Sequence, residues 1–478
     1  MKKAFITNLA LVLGLNLSIK PFWIFFIDRS VQNTVGLEEF GTYFSLFNFS
    51  YVFYIILDLG ITNFNNRNIA QNTHLLGKHF SRVVMLKLTL AVIYLVVCCI
   101  AGIMIKYDVR HMKLLMILCF NQFLISFILY LRSNISGLHL FKTDSLLSVT
   151  DRLTGIAICA PFIWFHFMGG IDIMSYVYAQ TVSYALTAAI AFTIVVNKAG
   201  FIKFDWGRTF SIMILKQSFP FAILGMLMAF YNRIDSVMLE RILDDKGAEA
   251  GVYAQAFRLL DAANMVAFLA AGLLLPMFSR MLKLHESVES LVKTSYTLLM
   301  TLAIVVGCGC YFYGDKMMEL LYKGDVTESA MVFRILMCCF LGTVTQYIFG
   351  TLLTANGNLK YLNIIAACGM FVNVAFNFVM IPHFHAVGSA IVSLTTQIFV
   401  PAIQVVVIQK IFKFKMIYRL FATLLVFAIG EIVLGYFSRN LPFDWRISFV
   451  LMVGASGILA FAVGLLNIKG FLNVMKNG

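Results

Sequence analysis

The chain has 478 residues, of which 60% are hydrophobic and only 13% are charged, and its formal net charge is +14 at pH 7. A soluble protein is about 45–50% apolar and about 25% charged, so this composition excludes an ordinary soluble fold and indicates an all-α integral membrane protein. The basic residues lie in short loops between apolar stretches, which points to membrane topology rather than to nucleic-acid binding.

A membrane-spanning helix needs about 20 apolar residues, because each residue rises about 1.5 Å through the bilayer. About fourteen stretches meet this requirement, and no connection between them is long enough for a soluble domain. The first stretch lacks a small-residue cleavage site, so we expect a retained span rather than a signal peptide. The predicted spans are residues 5–27, 38–62, 83–105, 111–135, 146–168, 173–196, 210–234, 250–278, 292–313, 330–354, 361–381, 386–409, 417–437 and 447–467.

Lysine and arginine are concentrated in the alternate loops that share a side with the N-terminus. Lys87 is counted with these loops, whereas Lys106, Arg110 and Lys113 fall on the opposite side and depart from the pattern. Because basic loops stay in the cytoplasm, the asymmetry predicts an even number of spans with both termini cytoplasmic. The expected location is the cytoplasmic (inner) membrane.

The pattern G-x-Y-x-x-x-F occurs twice, at residues 41–47 and 251–257, where the second and eighth spans begin. Ser136-Gly137 and Asn356-Gly357, each followed by a lysine, repeat at nearly the same offset. The offset corresponds to six spans, and it predicts two pseudo-symmetric six-helix bundles, with chance similarity between apolar segments as the alternative. Duplicated bundles are typical of transporters, with the substrate path between the halves. The predicted domains are an N-terminal lobe at 1–200, a C-terminal lobe at 201–412 and two additional helices at 413–478.

Charged side chains within a span cost about 2.5–3.5 kcal/mol on insertion scales, so each needs water, a partner or a ligand. Arg258 and Asp261 lie three residues apart in the eighth span and share a face. They form either a structural ion pair or part of a water-filled cationic site. Lys20 precedes Pro21, where the first span is expected to bend, and it either faces the bundle or snorkels to the outer surface.

The other ionisable residues near span ends carry two interpretations each. Asp58, in the polar end of the second span, indicates a gate or bundle contact, with loop solvation as the alternative. Arg132 and Arg152 are expected to anchor cytoplasmic ends, and Asp235 lies near an outer end where solvation is the alternative. The candidate substrate-binding cations are Lys20, Arg132, Arg152 and Arg258, and the candidates for ion coupling or gating are Asp58, Asp235, Asp261 and Glu431.

Signatures of catalysis are missing from the sequence. It contains no P-loop, no G-x-S-x-G and no H-E-x-x-H, and His383 with His385 alone is a weak indication of a metal site. The nine cysteines lie in apolar stretches and are expected to be buried small hydrophobic residues. We therefore expect no enzyme activity, no cofactor and no metal. A membrane-embedded glycan polymerase or acyltransferase is the alternative of another class, and it would need a large outer loop or a catalytic His/Asp set.

Five segments in order carry a resemblance to a known family: 41–43, 57–60, 63–67, 232–235 and 251–258. The chain resembles the polysaccharide flippases of the multidrug/oligosaccharidyl-lipid/polysaccharide exporter superfamily, such as O-antigen and capsule-unit translocases. The resemblance implies two six-helix lobes around a central cationic cavity, and a prenyl-diphosphate-linked oligosaccharide moved by alternating access.

In such families basic residues of the first and eighth spans line the cavity, and Lys20 and Arg258 occupy comparable places here. The implied partners are the lipid-linked oligosaccharide, membrane lipids, and a glycan polymerase and glycosyltransferases of lipopolysaccharide O-antigen biosynthesis. An ion-coupled multidrug or small-molecule exporter of the same superfamily is the alternative, and it would prefer an acidic cavity.

Overall fold

The described part of the chain is helical throughout and contains no strand. The first helix, α1, covers residues 14–35, and it includes a π-helical segment, Trp23–Asp28. The computed structural model describes residues 14–62, 65–66, 69, 74, 76–138, 140–165, 170–200, 207–243, 245–414 and 417–465. The other helices are α2 (Leu37–Val52), α3 (Ile55–Asp58), α4 (Leu76–Met104), α5 (Val109–Gly137), α6 (Phe141–Trp164), α7 (Ile173–Ala199), α8 (Arg208–Ile242), α9 (Ala248–Lys283), α10 (Glu289–Leu321), α11 (Thr327–Ala355), α12 (Leu359–Phe412), α13 (Ile417–Arg439) and α14 (Trp445–Ala462).

Eleven of the described helices are long and apolar enough to cross a membrane. Large apolar side chains stay exposed along them, such as Ile103, Phe371 and Val450, as expected of surfaces that face lipid. The all-α, multi-pass membrane fold predicted from composition is therefore confirmed, while the count of fourteen spans stays a prediction. Helix α12 contains two predicted spans, and it bends at His385, whose φ of 49° lies outside the helical region.

Short polar residues fix where several helices begin. The carboxylates of Asp108, Asp172 and Asp444 precede α5, α7 and α14, and each accepts a backbone N–H of the first turn. The backbone hydrogen bond from His111 holds the pKa of Asp108 below its usual value. Arg110, one of the basic residues that departed from the topology pattern, lies 2.6 Å from the Glu39 carboxylate, which offsets its charge.

The chain divides into two compact units, Met1–Ala254 and Gln255–Gly478. In the first, α4, α5 and α7 pack around Phe80, Leu131 and Val195. In the second, the Tyr296 hydroxyl of α10 lies 3.2 Å from the Thr345 hydroxyl of α11. The predicted boundaries at residues 200 and 412 stay predictions.

The two copies of the repeated glycine meet within the first unit. A Cβ atom placed on Gly41 would lie 2.5 Å from the Gly251 nitrogen, and one placed on Gly251 would lie 2.9 Å from the carbonyl carbon of Leu37. The contact is reciprocal, because each glycine approaches the other segment, as residues related by a two-fold axis do. The superposition of the two predicted bundles stays a prediction.

Candidate functional site

Helix α1 is distorted just after Lys20. Pro21 lacks a backbone N–H, and the π-helical segment Trp23–Asp28 begins two residues later, while the bend predicted there stays a prediction. Such π-helical segments are frequent at functional sites. Asn16, one turn before Lys20, is buried and donates to the Ser148 hydroxyl of α6 at 3.0 Å, so this face of α1 turns towards α6.

Trp23 is the aromatic centre of the site, and it is buried with 4% exposure. Its ring stacks on Tyr176 of α7 at a centroid distance of 6.1 Å. The indole also lies close to Gly155 of α6, where an added Cβ would lie 2.6 Å from the ring. Gly155 therefore allows the indole to lie close against α6, beside Arg152 one turn earlier.

Arg152 extends from α6 over two aromatic rings. Its guanidinium carbon lies 5.0 Å from the Trp23 ring centroid and 5.9 Å from that of Tyr184. Both distances are within the range of cation–π attraction. The Asp151 carboxylate lies 3.6 Å from the Arg152 Nε, and 28% of the Arg152 side chain is exposed. The guanidinium is thus held in a half-buried, aromatic environment.

Lys20 is half-buried in the same region, and it interacts electrostatically with Arg152, Asp151 and Arg132. Like-charged groups repel each other more strongly in a low-dielectric environment than in water, so an anion bound between Lys20 and Arg152 would relieve this repulsion. We refer to Lys20, Trp23, Arg152 and Tyr184 as the α1–α6 cationic site.

Arg132 has a different partner. Its Nε lies 2.7 Å from the Asp144 carboxylate, and this ion pair joins the end of α5 to the start of α6. Both side chains are about one-fifth exposed, at 21% and 18%. The pair explains why an arginine is retained at this helix end, and the substrate role of Arg132 stays a prediction.

Asp58 forms a buried ion pair that the sequence analysis missed. The Lys87 ammonium lies 2.5 Å from the Asp58 carboxylate, and the Lys87 side chain is only 1% exposed. Lys87 was counted with the cytoplasmic loops, and this assignment is wrong, because it lies in the middle part of α4. The signal in the sequence is a lysine with apolar neighbours on both sides, Leu86 and Leu88.

Asp235 of α8 is buried with 1% exposure, and it accepts a hydrogen bond of 3.0 Å from the Tyr253 hydroxyl. Solvation at a helix end is therefore the wrong explanation for this residue. One residue further on, the Ser236 hydroxyl accepts a 2.8 Å hydrogen bond from the Asn48 amide of α2. Asp235 thus lies beside a buried polar contact between α2 and α8.

The predicted residues of the second unit lie on two helices, α9 and α13. Arg258 and Asp261 are both half-buried on α9. Glu431 of α13 is fully buried, and its carboxylate accepts a 2.7 Å hydrogen bond from the Ser456 hydroxyl of α14. Their roles in substrate binding and ion coupling stay predictions.

The fold has relatives of known structure. The lipid II flippase MurJ in its inward closed conformation matches with a TM-score of 0.72 at 14% identity, over 94% of this chain and 97% of that chain. The Vibrio cholerae MATE transporter VcmN in its bent form matches with a TM-score of 0.59 at 14% identity, over 87% of this chain and 99% of that chain. The chain therefore has the fold of the multidrug/oligosaccharidyl-lipid/polysaccharide exporter superfamily, and the predicted superfamily is confirmed.

The family model described as polysaccharide biosynthesis protein matches residues 25–282, which is more than half of the chain. The chain belongs to this family. A curated relative, an uncharacterized membrane protein of Methanocaldococcus jannaschii, is 24% identical over 204 residues, which cover 43% of this chain and 48% of that protein. The matched region thus spans about half the length of this relative.

Proposed function

We propose that the protein moves a lipid-linked oligosaccharide across the cytoplasmic membrane by alternating access. In this proposal the oligosaccharide is joined to a prenyl chain through a diphosphate, and the α1–α6 cationic site binds that diphosphate. The observation that carries the proposal is Arg152, held half-buried over the Trp23 and Tyr184 rings with Lys20 nearby. Membership of a polysaccharide biosynthesis family supports the glycan part.

The chemistry of the substrate explains why such a site is needed. A diphosphate cannot cross hydrocarbon unaided, because an unpaired ion in an apolar medium is strongly unfavourable, whereas its prenyl tail can stay in the bilayer. The guanidinium carbon of Arg152 lies over the two rings, and the N–H donors of a guanidinium lie along its edge, where a phosphate binds bidentately. Lys20 supplies a second positive charge.

The remaining parts of the proposal extend it to the whole chain. Both termini are cytoplasmic, Arg258 is a substrate-binding cation of the second unit, and Asp235, Asp261 or Glu431 couples an ion gradient to transport. A glycan polymerase and glycosyltransferases would act before and after the transfer. Export of cationic drugs is the rival function. A cationic drug would be attracted by a negative charge in the cavity. The charge of Asp58 is offset by Lys87, so this residue does not favour the rival function.

The proposal is tested by surface glycan in a strain that lacks the gene, complemented with variants at matched membrane level. Arg152→Ala removes a charged hydrogen-bond donor worth about 1.5–3 kcal/mol, so we expect the initial rate of glycan export to fall about 10- to 150-fold. Arg152→Lys keeps the charge but loses the planar fork, and its rate should be intermediate. Lys142→Ala, an exposed position on the same helix, is the matched control and should export normally.

A binding measurement separates recognition from export. A short-chain prenyl diphosphate should raise the thermal unfolding temperature of the purified wild type but not that of Arg152→Ala, and a prenyl alcohol should raise neither. Normal glycan export by the combined Lys20→Ala, Arg152→Ala variant would contradict the proposal. Drug resistance that depends on the protein, with no effect on glycan, would favour the rival function.

A further inference from the structure

A helix ends inside the first unit at the Asp58–Lys87 pair. Helix α3 stops after four residues, because Leu59 and Gly60 both have positive φ, at 44° and 79°. The last carbonyl groups of a helix lack partners within it, and they carry the negative end of the helix dipole. The Asp58 carboxylate adds a full negative charge at the same end, so this point requires a positive charge.

The Lys87 ammonium supplies that charge, and its contacts are complete. Nζ lies 2.5 Å from the Asp58 carboxylate, 3.0 Å from the Leu57 carbonyl oxygen and 3.0 Å from the Ser126 hydroxyl. An ammonium has three N–H donors, and each has an oxygen here. The Thr62 hydroxyl also donates to the Asp58 carboxylate. Lys87 thereby connects α3, α4 and α5.

Carboxylate, carbonyl and hydroxyl groups supply oxygen ligands, the type that hard cations take in proteins, and Na⁺ is a hard cation. We propose that Asp58, Leu57 and Ser126 form a monovalent-cation site whose cation is the chain's own Lys87 ammonium. In the native protein the tethered ammonium fills the site permanently, so no alkali-metal ion binds there. Removal of the Lys87 side chain leaves the oxygen ligands in place and opens the site to a free cation.

The alternative is an ordinary buried ion pair with no capacity for a free cation. Buried ion pairs can often be replaced by apolar side chains of similar volume, whereas removal of one partner leaves a costly unpaired charge. Both interpretations predict that Lys87→Ala is destabilising. They differ in whether a small cation added to the solution restores the stability that Lys87→Ala loses.

The experiment measures thermal unfolding of the purified full-length protein at a fixed ionic strength of about 0.15 M, in N-methylglucamine, sodium, potassium or methylammonium chloride. Lys87→Ala should unfold several degrees below the wild type in N-methylglucamine, whose cation is too large to enter, and should recover at least half of the loss in sodium or methylammonium. Lys87→Met fills the space with an uncharged chain and should not recover. Wild type and the exposed-site control Lys78→Ala should respond equally little to the choice of cation.

The double variant Asp58→Asn, Lys87→Ala tests the origin of the effect, because it removes the negative charge that the cation offsets. It should show no cation-specific recovery, and it should accumulate in the membrane even where Lys87→Ala alone does not. The proposal is overturned if Lys87→Ala recovers equally in all four salts, or if both variants fail to accumulate. It is also overturned if sodium raises the unfolding temperature of the wild type and this rise is lost when Asp58 is replaced by asparagine. These readouts measure stability, so they are independent of the proposed transport function.

Discussion

Replacement of Gly41 by alanine is expected to separate α2 from the start of α9. The new Cβ atom would lie 2.5 Å from the Gly251 nitrogen and 3.0 Å from the Gly251 Cα, where ordinary van der Waals contact begins near 3.4 Å. The opposing atoms belong to the backbone, so no change of side-chain rotamer relieves the clash. One of the two segments has to move by several tenths of an ångström or more.

The magnitude follows from the cost of overpacking, which is about 1–3 kcal/mol for one inserted methyl or methylene group in a well-packed contact. Each 1.4 kcal/mol corresponds to a factor of about ten in an equilibrium constant. The arrangement described here should therefore lose about 5- to 150-fold in population relative to any arrangement in which α2 and α9 are apart.

Disulfide crosslinking reports this population. The Thr42 hydroxyl lies 3.4 Å from the Lys246 carbonyl oxygen, so cysteines at these two positions, in a background without the native cysteines, should crosslink faster when the contact is closed than when it is open. Gly41→Ala should slow the crosslinking rate in proportion to the lost population. Gly272→Ala in α9 is the matched control, because an added Cβ there has no atom within 4 Å. An unchanged rate in Gly41→Ala would refute the close contact.

Two further predictions concern the second unit and the topology. Glu431→Gln keeps an acceptor for Ser456 and removes a buried ionisable group, so the unfolding temperature should stay the same or rise; loss of export at unchanged stability would instead assign Glu431 to ion coupling. Reporter fusions after Gly170 and after Lys415 should report the outside and the cytoplasm respectively, and the same side for both would contradict the predicted topology.

The long apolar helices were predictable because hydropathy depends on local composition, which the sequence contains directly. Every predicted span overlaps a helix among the described residues, and a π-helical segment begins two residues after Pro21. The edges are less accurate, since α4 begins at Leu76 where the span was predicted to begin at residue 83. Polar residues at the end of a helix lower the local hydropathy without ending the helix, so the helix extends beyond the predicted span.

The partners of charged residues were harder to predict, because each ion pair depends on how distant segments pack. Lys87 lies 29 residues from Asp58 along the chain, and the local sequence around either residue does not indicate that the two form an ion pair. Counting basic residues by side treats a lysine near a predicted edge as a loop residue, and this rule failed for Lys87. The reciprocal approach of Gly41 and Gly251 also depends on packing, although the repeat itself was visible.

The cations of the first unit differ in what satisfies them, and this difference separates structural roles from a binding role. Lys87 has an oxygen for each of its three donors, and Arg132 has the Asp144 carboxylate at 2.7 Å. Arg152 lies over two aromatic rings, and its contact with the Asp151 carboxylate, at 3.6 Å from Nε, is longer than the 2.7 Å contact between Arg132 and Asp144. Aromatic rings and a more distant carboxylate position the guanidinium and offset its charge less than a carboxylate at close hydrogen-bond distance does. We therefore expect substitutions at Lys87 and Arg132 to act mainly on stability, and substitutions at Arg152 to act mainly on substrate binding.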